Sequence, residues 1–181
     1  MHIRPNRKGT RGAILVIGGF ILAFAVVGLV GRILAENNVR VAKPAPDFAF
    51  REQGANGPAI KLADFKGKAL IVSFLATWDT NCQKQIVIFK DLLKQYGETN
   101  LAVLAFALDQ NGPKALKTYA EEQHLNYLLH VADYNTVVAF GGVTSIPTTF
   151  VIDKNQNIIQ TYIGLTETNL LGLDLQAISK Q

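Results

Sequence analysis

A single cysteine stands in this chain of 181 residues. Cys82 is thus its one candidate for sulfur chemistry, and it can form neither an intramolecular disulfide nor a Cys-rich metal site. Its surroundings read Thr77-Trp78-Asp79-Thr80-Asn81-Cys82-Gln83-Lys84-Gln85. Asp79, Thr80 and Asn81 are all good helix N-caps, and Thr80 with Gln83 makes a capping box. A thiol at the first residues of a helix is acidified by the positive helix end, whereas one a turn further in is buried, raised in pKa and shielded. Cys82 therefore reads either as a small core residue or as a working thiol. Asp79 reads as a structural cap or as a charge at a reactive site, and Trp78 as packing or as the rim of a groove. His124 and His130 have no partner at metal-ligand spacing, so neither a metal nor another cofactor is expected.

These residues need elements to hold them. Ala69–Ala76 is an almost unbroken apolar run, the mark of a strand buried on both faces, and it leads straight into Trp78. Thr80–Tyr96 is predicted as a helix with Phe89, Leu92, Leu93 and Tyr96 on one face and Gly97 at its C-cap. A second buried strand at Leu101–Leu108 and a helix at Pro113–Gln123 follow, the helix presenting Leu116, Tyr119 and Ala120. Next come a short strand at Tyr127–Val131 and a short helix at Tyr134–Phe140. Two strands, Thr148–Ile152 and Ile158–Ile163, share a tight turn. A closing helix over Thr166–Ser179 carries Leu170, Leu171, Leu173, Leu175 and Ile178. Upstream, Asp47–Arg51 and Ile60–Leu62 alternate around a turn-rich stretch and predict a hairpin. Strands alternating with helices, then a hairpin and a last helix, give an α/β class with a mixed central sheet flanked by helices.

The junction SerPheLeuAlaThrTrpAspThrAsnCysGlnLysGln, residues 73–85, resembles the active-site region of thioredoxin-like proteins. More narrowly it is similar to the membrane-anchored TlpA/ResA-type thiol-disulfide oxidoreductases (redoxin or AhpC/TSA-like domains), in which a strand ends in Trp followed by Cys-x-x-Cys. Lys43-Pro44-Ala45-Pro46-Asp47-Phe48, Leu62-Ala63-Asp64-Phe65-Lys66-Gly67-Lys68 and Ile146-Pro147-Thr148-Thr149-Phe150-Val151-Ile152-Asp153 resemble three further segments of that group, in the same order. The resemblance spans about Pro44 to Leu165. It implies a thioredoxin fold with an N-terminal hairpin extension, a cis peptide bond before Pro147, and a loop whose Ile146 backbone meets a bound peptide. It also suggests roles such as cytochrome c maturation or protection of exported thiols.

The pattern departs at its centre. Aligned on Trp78, the first Cys of the pair falls on Asp79 and the second on Cys82. Exchange needs an accessible thiolate at the first position and a resolving thiol at the second, and a carboxylate cannot attack sulfur. The group's proton-moving Glu falls on Gln85, which does not titrate. The chain is thus expected to be a member of the oxidoreductase group with reduced or absent reductase activity. The alternative is a non-catalytic module that binds an exported polypeptide through Trp78, Ile146 and Pro147. A single-Cys thiol peroxidase is a third reading. It requires a Pro and a Thr or Ser ahead of the cysteine and an Arg beside it, whereas Leu75 and Asp79 occupy those positions and no Arg follows Arg51.

Ala13–Gly31 carries no charge, and nineteen helical residues at ~1.5 Å each span ~28 Å, close to a ~30 Å hydrocarbon core. Ala23-Phe24-Ala25 also fits a signal-peptidase site, but cleavage there would leave an apolar stretch on the mature chain. An uncleaved anchor over residues 13–35 is the preferred expectation. Arg4, Arg7, Lys8 and Arg11 precede it and place residues 1–12 in the cytoplasm by the positive-inside rule. Residues 36–46 read as a linker and 47–181 as the thioredoxin-like domain, facing the periplasm or the outside of the cytoplasmic membrane. From Arg32 onward fourteen Lys and Arg meet fourteen Asp and Glu. That neutral body has no electrostatic footprint for nucleic acid. The expected partners are the membrane and an exported protein or peptide.

Overall fold

The computed structural model describes residues 42–51, 59–110 and 112–181. The predicted anchor at 13–35, the basic tail and the turn at 52–58 lie outside these. Among the described residues no helix is long and apolar enough to cross a membrane.

The described elements run β1 (Lys43–Pro44), β2 (Ala49–Phe50), β3 (Ile60–Lys61), a 3-10 turn (Leu62–Phe65), β4 (Ala69–Leu75), α1 (Thr80–Tyr96), β5 (Leu101–Ala107), α2 (Gly112–Glu122), β6 (Leu128–Val131), α3 (Tyr134–Ala139), β7 (Thr148–Ile152), β8 (Asn157–Ile163) and α4 (Thr168–Ser179). Six strands form one sheet in the order β1-β8-β7-β4-β5-β6. β4, β5 and β6 are parallel, β7 runs antiparallel to β4 and β8 antiparallel to β7, so the sheet is mixed as expected. β2 and β3 pair antiparallel, Ala49 opposite Lys61, as the predicted hairpin.

The apolar run of β4 is buried throughout because its side chains alternate between two covered faces. Leu70, Val72 and Phe74 join Phe48, Phe50, Phe106, Phe140 and Phe150 under the hairpin and α3. Ala69 and Ile71 turn the other way, to Phe89, Leu92 and Leu93 of α1 and Leu171, Leu175 and Ile178 of α4. Phe106 lies 5.4 Å from Phe74, 5.6 Å from Phe50 and 5.9 Å from Phe48 between ring centroids, within the range of favourable aromatic packing. The central strands are thereby held from both sides, which fixes the loop that leaves β4.

Two expectations change. Residues 36–46 are not linker throughout, because Lys43 and Pro44 pair with Ile158 and Asn157 at the sheet edge. An edge strand tolerates a proline, whose missing N–H can face outward. The closing helix begins at Thr168, and only Leu171, Asp174, Leu175 and Ile178 form its buried stripe. Leu170 and Leu173 are exposed. Asp174 takes an inner place because the Tyr162 hydroxyl donates to it at 2.7 Å.

Candidate functional site

The site is the turn from β4 into α1, at the carboxyl ends of two parallel strands. Thr77 is anchored first. Its backbone N–H donates to both carboxylate oxygens of Asp109, at 3.2 and 3.0 Å, and its hydroxyl donates at 2.6 Å. Asp109 lies two residues past β5 and is buried, so these bonds clamp the ends of β4 and β5 together. With Thr77 held, Trp78 projects outward and is 70% exposed, which excludes a core role.

Asp79 caps α1. Its backbone is extended and its Oδ1 accepts the Cys82 N–H at 2.8 Å. This bond holds the Asp79 carboxyl below the ordinary carboxylate range. The capping box expected from Thr80 and Gln83 does not form. Thr80 is the first helical residue, and the Gln83 side chain donates instead to the Thr77 carbonyl at 2.9 Å. An ionised acceptor at the positive helix end makes a stronger bond to a free N–H than a hydroxyl does, so the cap falls on Asp79.

Cys82 faces the interior with 0% exposure, among Leu75, Ile86, Ala105, Ala107 and Leu116. Its Sγ accepts the Ala76 N–H at 3.4 Å. Burial pushes the thiol up to about 12, and the Asp79 and Asp109 carboxylates add to the rise. The sulfur is closed both sterically and electrostatically.

Gln85 is also fully buried, one turn on. Its Oε1 accepts the Thr166 N–H at 2.7 Å and its Nε2 donates to the Thr166 carbonyl at 3.2 Å. The amide thus meets one donor and one acceptor with its own complementary pair and ties α1 to the segment between β8 and α4.

The Ile146–Pro147 bond is cis, as the resemblance implies. Pro147 is buried, and Ile146 is half-buried against the apolar cluster that holds Cys82. The Gly164 N–H donates to the Pro147 carbonyl at 2.7 Å, bringing Ile163 and Leu165 beside this loop. Ile163 is 76% exposed and Leu165 also reaches solvent. The structure therefore joins Asp79 to Cys82 by a cap and Cys82 to Ile146 by packing, while Gln85 points away to Thr166. Sequence reasoning missed the Thr77–Asp109 clamp and the Thr166 partner. A polar residue immediately after a buried strand was the available signal for Asp109. His130 stacks on Phe50 at 4.3 Å, and His124 occupies an exposed turn with φ 48°.

Comparison with known proteins agrees with this geometry. The AhpC/TSA family model matches residues 41–161. Thiol-disulfide oxidoreductase ResA of Bacillus cereus is 28% identical over 162 residues, covering 90% of this chain and 91% of that protein. Thioredoxin-like protein YneN of Bacillus subtilis is 28% identical over 158 residues, covering 80% of this chain and 87% of its own length. Among solved structures, a thiol:disulfide interchange protein of the thioredoxin family from Chlorobium tepidum superposes with TM-score 0.67 at 27% identity, covering 76% of this chain and 96% of that one.

Proposed function

The chain belongs to the AhpC/TSA family as a thioredoxin-like redoxin of the TlpA/ResA type, and from that premise we propose that it has given up disulfide exchange and binds an exported polypeptide. The observation that carries this reading is the pair Asp79 and Cys82. The position of the attacking sulfur is a carboxylate engaged as a helix cap, and the remaining sulfur is buried and hydrogen-bonded. Exchange requires a thiolate that reaches the substrate disulfide, and neither residue meets that condition. Gln85 supports the same reading, since an amide locked to Thr166 moves no proton.

The binding surface is the exposed apolar ground around the cis-proline loop: Trp78, Ile163 and Leu165 with Ile146 behind them. Each of the first three is a large apolar side chain in solvent, and a patch of such residues on a well-packed domain marks a contact site. A single-Cys peroxidase is disfavoured by the closed thiol and by the lack of any Arg after Arg51 to stabilise a thiolate. In this reading residues 1–12 lie in the cytoplasm, 13–35 anchor the chain in the cytoplasmic membrane, and the domain faces the periplasm or the outside.

The test is disulfide reduction by the full chain beside its Asp79→Cys variant. Activity in the variant with none in the parent supports a scaffold whose chemistry was lost at one position. Reduction by the parent at a rate comparable to the variant overturns the proposal and makes Cys82 a working thiol.

A further inference from the structure

We propose that β6 is a docking edge, at which an extended polypeptide segment adds to the sheet as a further strand in the groove between β6 and α2. None of Trp78, Ile146 or Pro147 lines that groove, so binding here is independent of the ground around the cis-proline loop.

The sheet ends in two edge strands, and they differ in kind. β1 carries Lys43 and Pro44, residue types that discourage further pairing. β6 reads Leu128-Leu129-His130-Val131, with neither a lysine nor a proline, and pairs with β5 residue for residue without a bulge. Its outer backbone groups are unused. The Ala132 N–H donates to the Ala107 carbonyl of β5 at 2.8 Å. Alternate residues of a strand turn their N–H and C=O to the same side. Leu128 and His130 therefore bond toward β5, while the N–H and C=O of Leu129 and Val131 point away from it. Neither residue has a partner on that side among the described residues.

A cavity of about 520 Å³ follows this edge. It is lined by all four residues of β6 and by Pro113, Leu116, Lys117 and Ala120, which share one stripe of α2. Leu128 and His130 lie on the hairpin side of the sheet, with His130 stacked on Phe50, whereas Leu129 and Val131 pack on the α2 side with Leu116. A space touched by residues of both faces runs along the strand itself. Four residues at ~3.3 Å each give it ~13 Å, the length of a short strand.

Free donors and acceptors at backbone spacing select another backbone, and the apolar wall of Leu116, Leu129 and Val131 selects apolar side chains at every second position of it. A second copy of this chain fits less well. Antiparallel pairing of two β6 strands about a two-fold axis would set both α2 helices on one face and bring the exposed Lys114 and Lys117 of the two copies together, where like charges repel.

The experiment follows anisotropy of a short fluorescein-labelled peptide of alternating valine and serine with the full chain in lipid nanodiscs. Two further peptides carry N-methyl groups on every valine amide or on every serine amide, so each has one blocked edge and one free edge. The expected result is saturable binding of the parent peptide and a roughly tenfold or greater loss for one methylated peptide alone. The valine set loses if the strand runs antiparallel to β6, the serine set if it runs parallel. Hydrogen exchange is expected to be fast at the Leu129 and Val131 amides of the free chain, slow at Leu128 and His130, and slowed at the first pair by the peptide. Val131→Pro removes one outward N–H while sparing the ladder to β5, and is expected to weaken binding roughly tenfold. Should that variant not fold, the parent-chain measurements decide alone. Trp78→Ala is expected to leave this binding unchanged. No saturable binding, equal loss with both methylated peptides or with neither, unchanged exchange at Leu129 and Val131, or loss in Trp78→Ala would each overturn the proposal. So would protection of those two amides in the peptide-free chain that rises when a disc holds two copies.

Discussion

The Asp79 carboxylate accepts the backbone N–H of Cys82 at 2.8 Å, and the Cys82 sulfur in turn accepts the N–H of Ala76 at 3.4 Å. The two positions that would carry a redox pair are thus joined through a helix cap. The carboxylate retains the negative charge that the helix end favours, and the inner thiol serves the core.

Asp79→Ala should lower the Tm of the domain by several degrees, and Asp79→Asn by less, because asparagine can still cap but carries no charge. The Asp79 carboxyl is held below its usual range by the Cys82 N–H. Its contribution is therefore present above the ordinary carboxylate pKa of 3.8 and is lost as pH falls through the folded value. Urea unfolding followed from about pH 6 to pH 2 should show a shallower acid loss in the alanine variant than in the parent. Parallel curves would remove the cap from the account.

Cys82 should resist alkylation in the native protein. A thiol pushed from 9.0 to about 12 has a thiolate population roughly a thousandfold smaller near neutral pH, and full burial adds a steric barrier. Iodoacetamide treatment at about pH 8 followed by mass measurement should leave the folded chain unlabelled and label it stoichiometrically in denaturant. Because the folded pKa is the higher one, this burial stabilises fully below pH 9 and progressively less as pH rises toward 12. Rapid labelling of the folded chain would contradict the geometry.

Gln85→Leu should cost about 1–3 kcal/mol, since it strands the N–H and carbonyl of Thr166 in the interior. Gln85→Glu is more informative. A glutamate can reproduce both bonds only when protonated, so its folded pKa must exceed its unfolded value near ~4.3. The variant should approach parental stability below about pH 4 and weaken as pH rises, the reverse of an ordinary paired carboxylate. A pH-independent difference from the parent would show that the carboxylate finds other donors in place of the Thr166 carbonyl.

Trp78→Ala should leave folding stability within about 0.5 kcal/mol of the parent, because the ring is largely in solvent. Ile163→Ser, at a second exposed apolar position beside the cis-proline loop, should behave alike. Either change should abolish or weaken capture of an unfolded exported polypeptide, measured by fluorescence anisotropy. Undiminished capture in both variants would move the binding surface elsewhere.

Local signals carried much of the architecture. The helix from Thr80 to Tyr96, its Gly97 cap, the doubly buried β4 and the two strands after Pro147 were legible because periodicity and capping act over a few residues. The count of one cysteine rules out an internal disulfide by composition alone. What remained open depended on neighbours distant along the chain. Asp79, Thr80 and Asn81 are all adequate caps by residue type, and only the folded backbone, extended at Asp79 and helical from Thr80, shows which one serves; the Thr77–Asp109 clamp just before it spans 32 residues. The Gln85 partner lies 81 residues away, and short-range chemistry cannot find it. Five apolar residues dot the closing helix, yet α1 and the sheet cover only one stripe of it, leaving Leu170 and Leu173 in solvent. Residue type and spacing determine which elements form; only their mutual packing decides which polar groups pair and which apolar side chains are left to meet a partner.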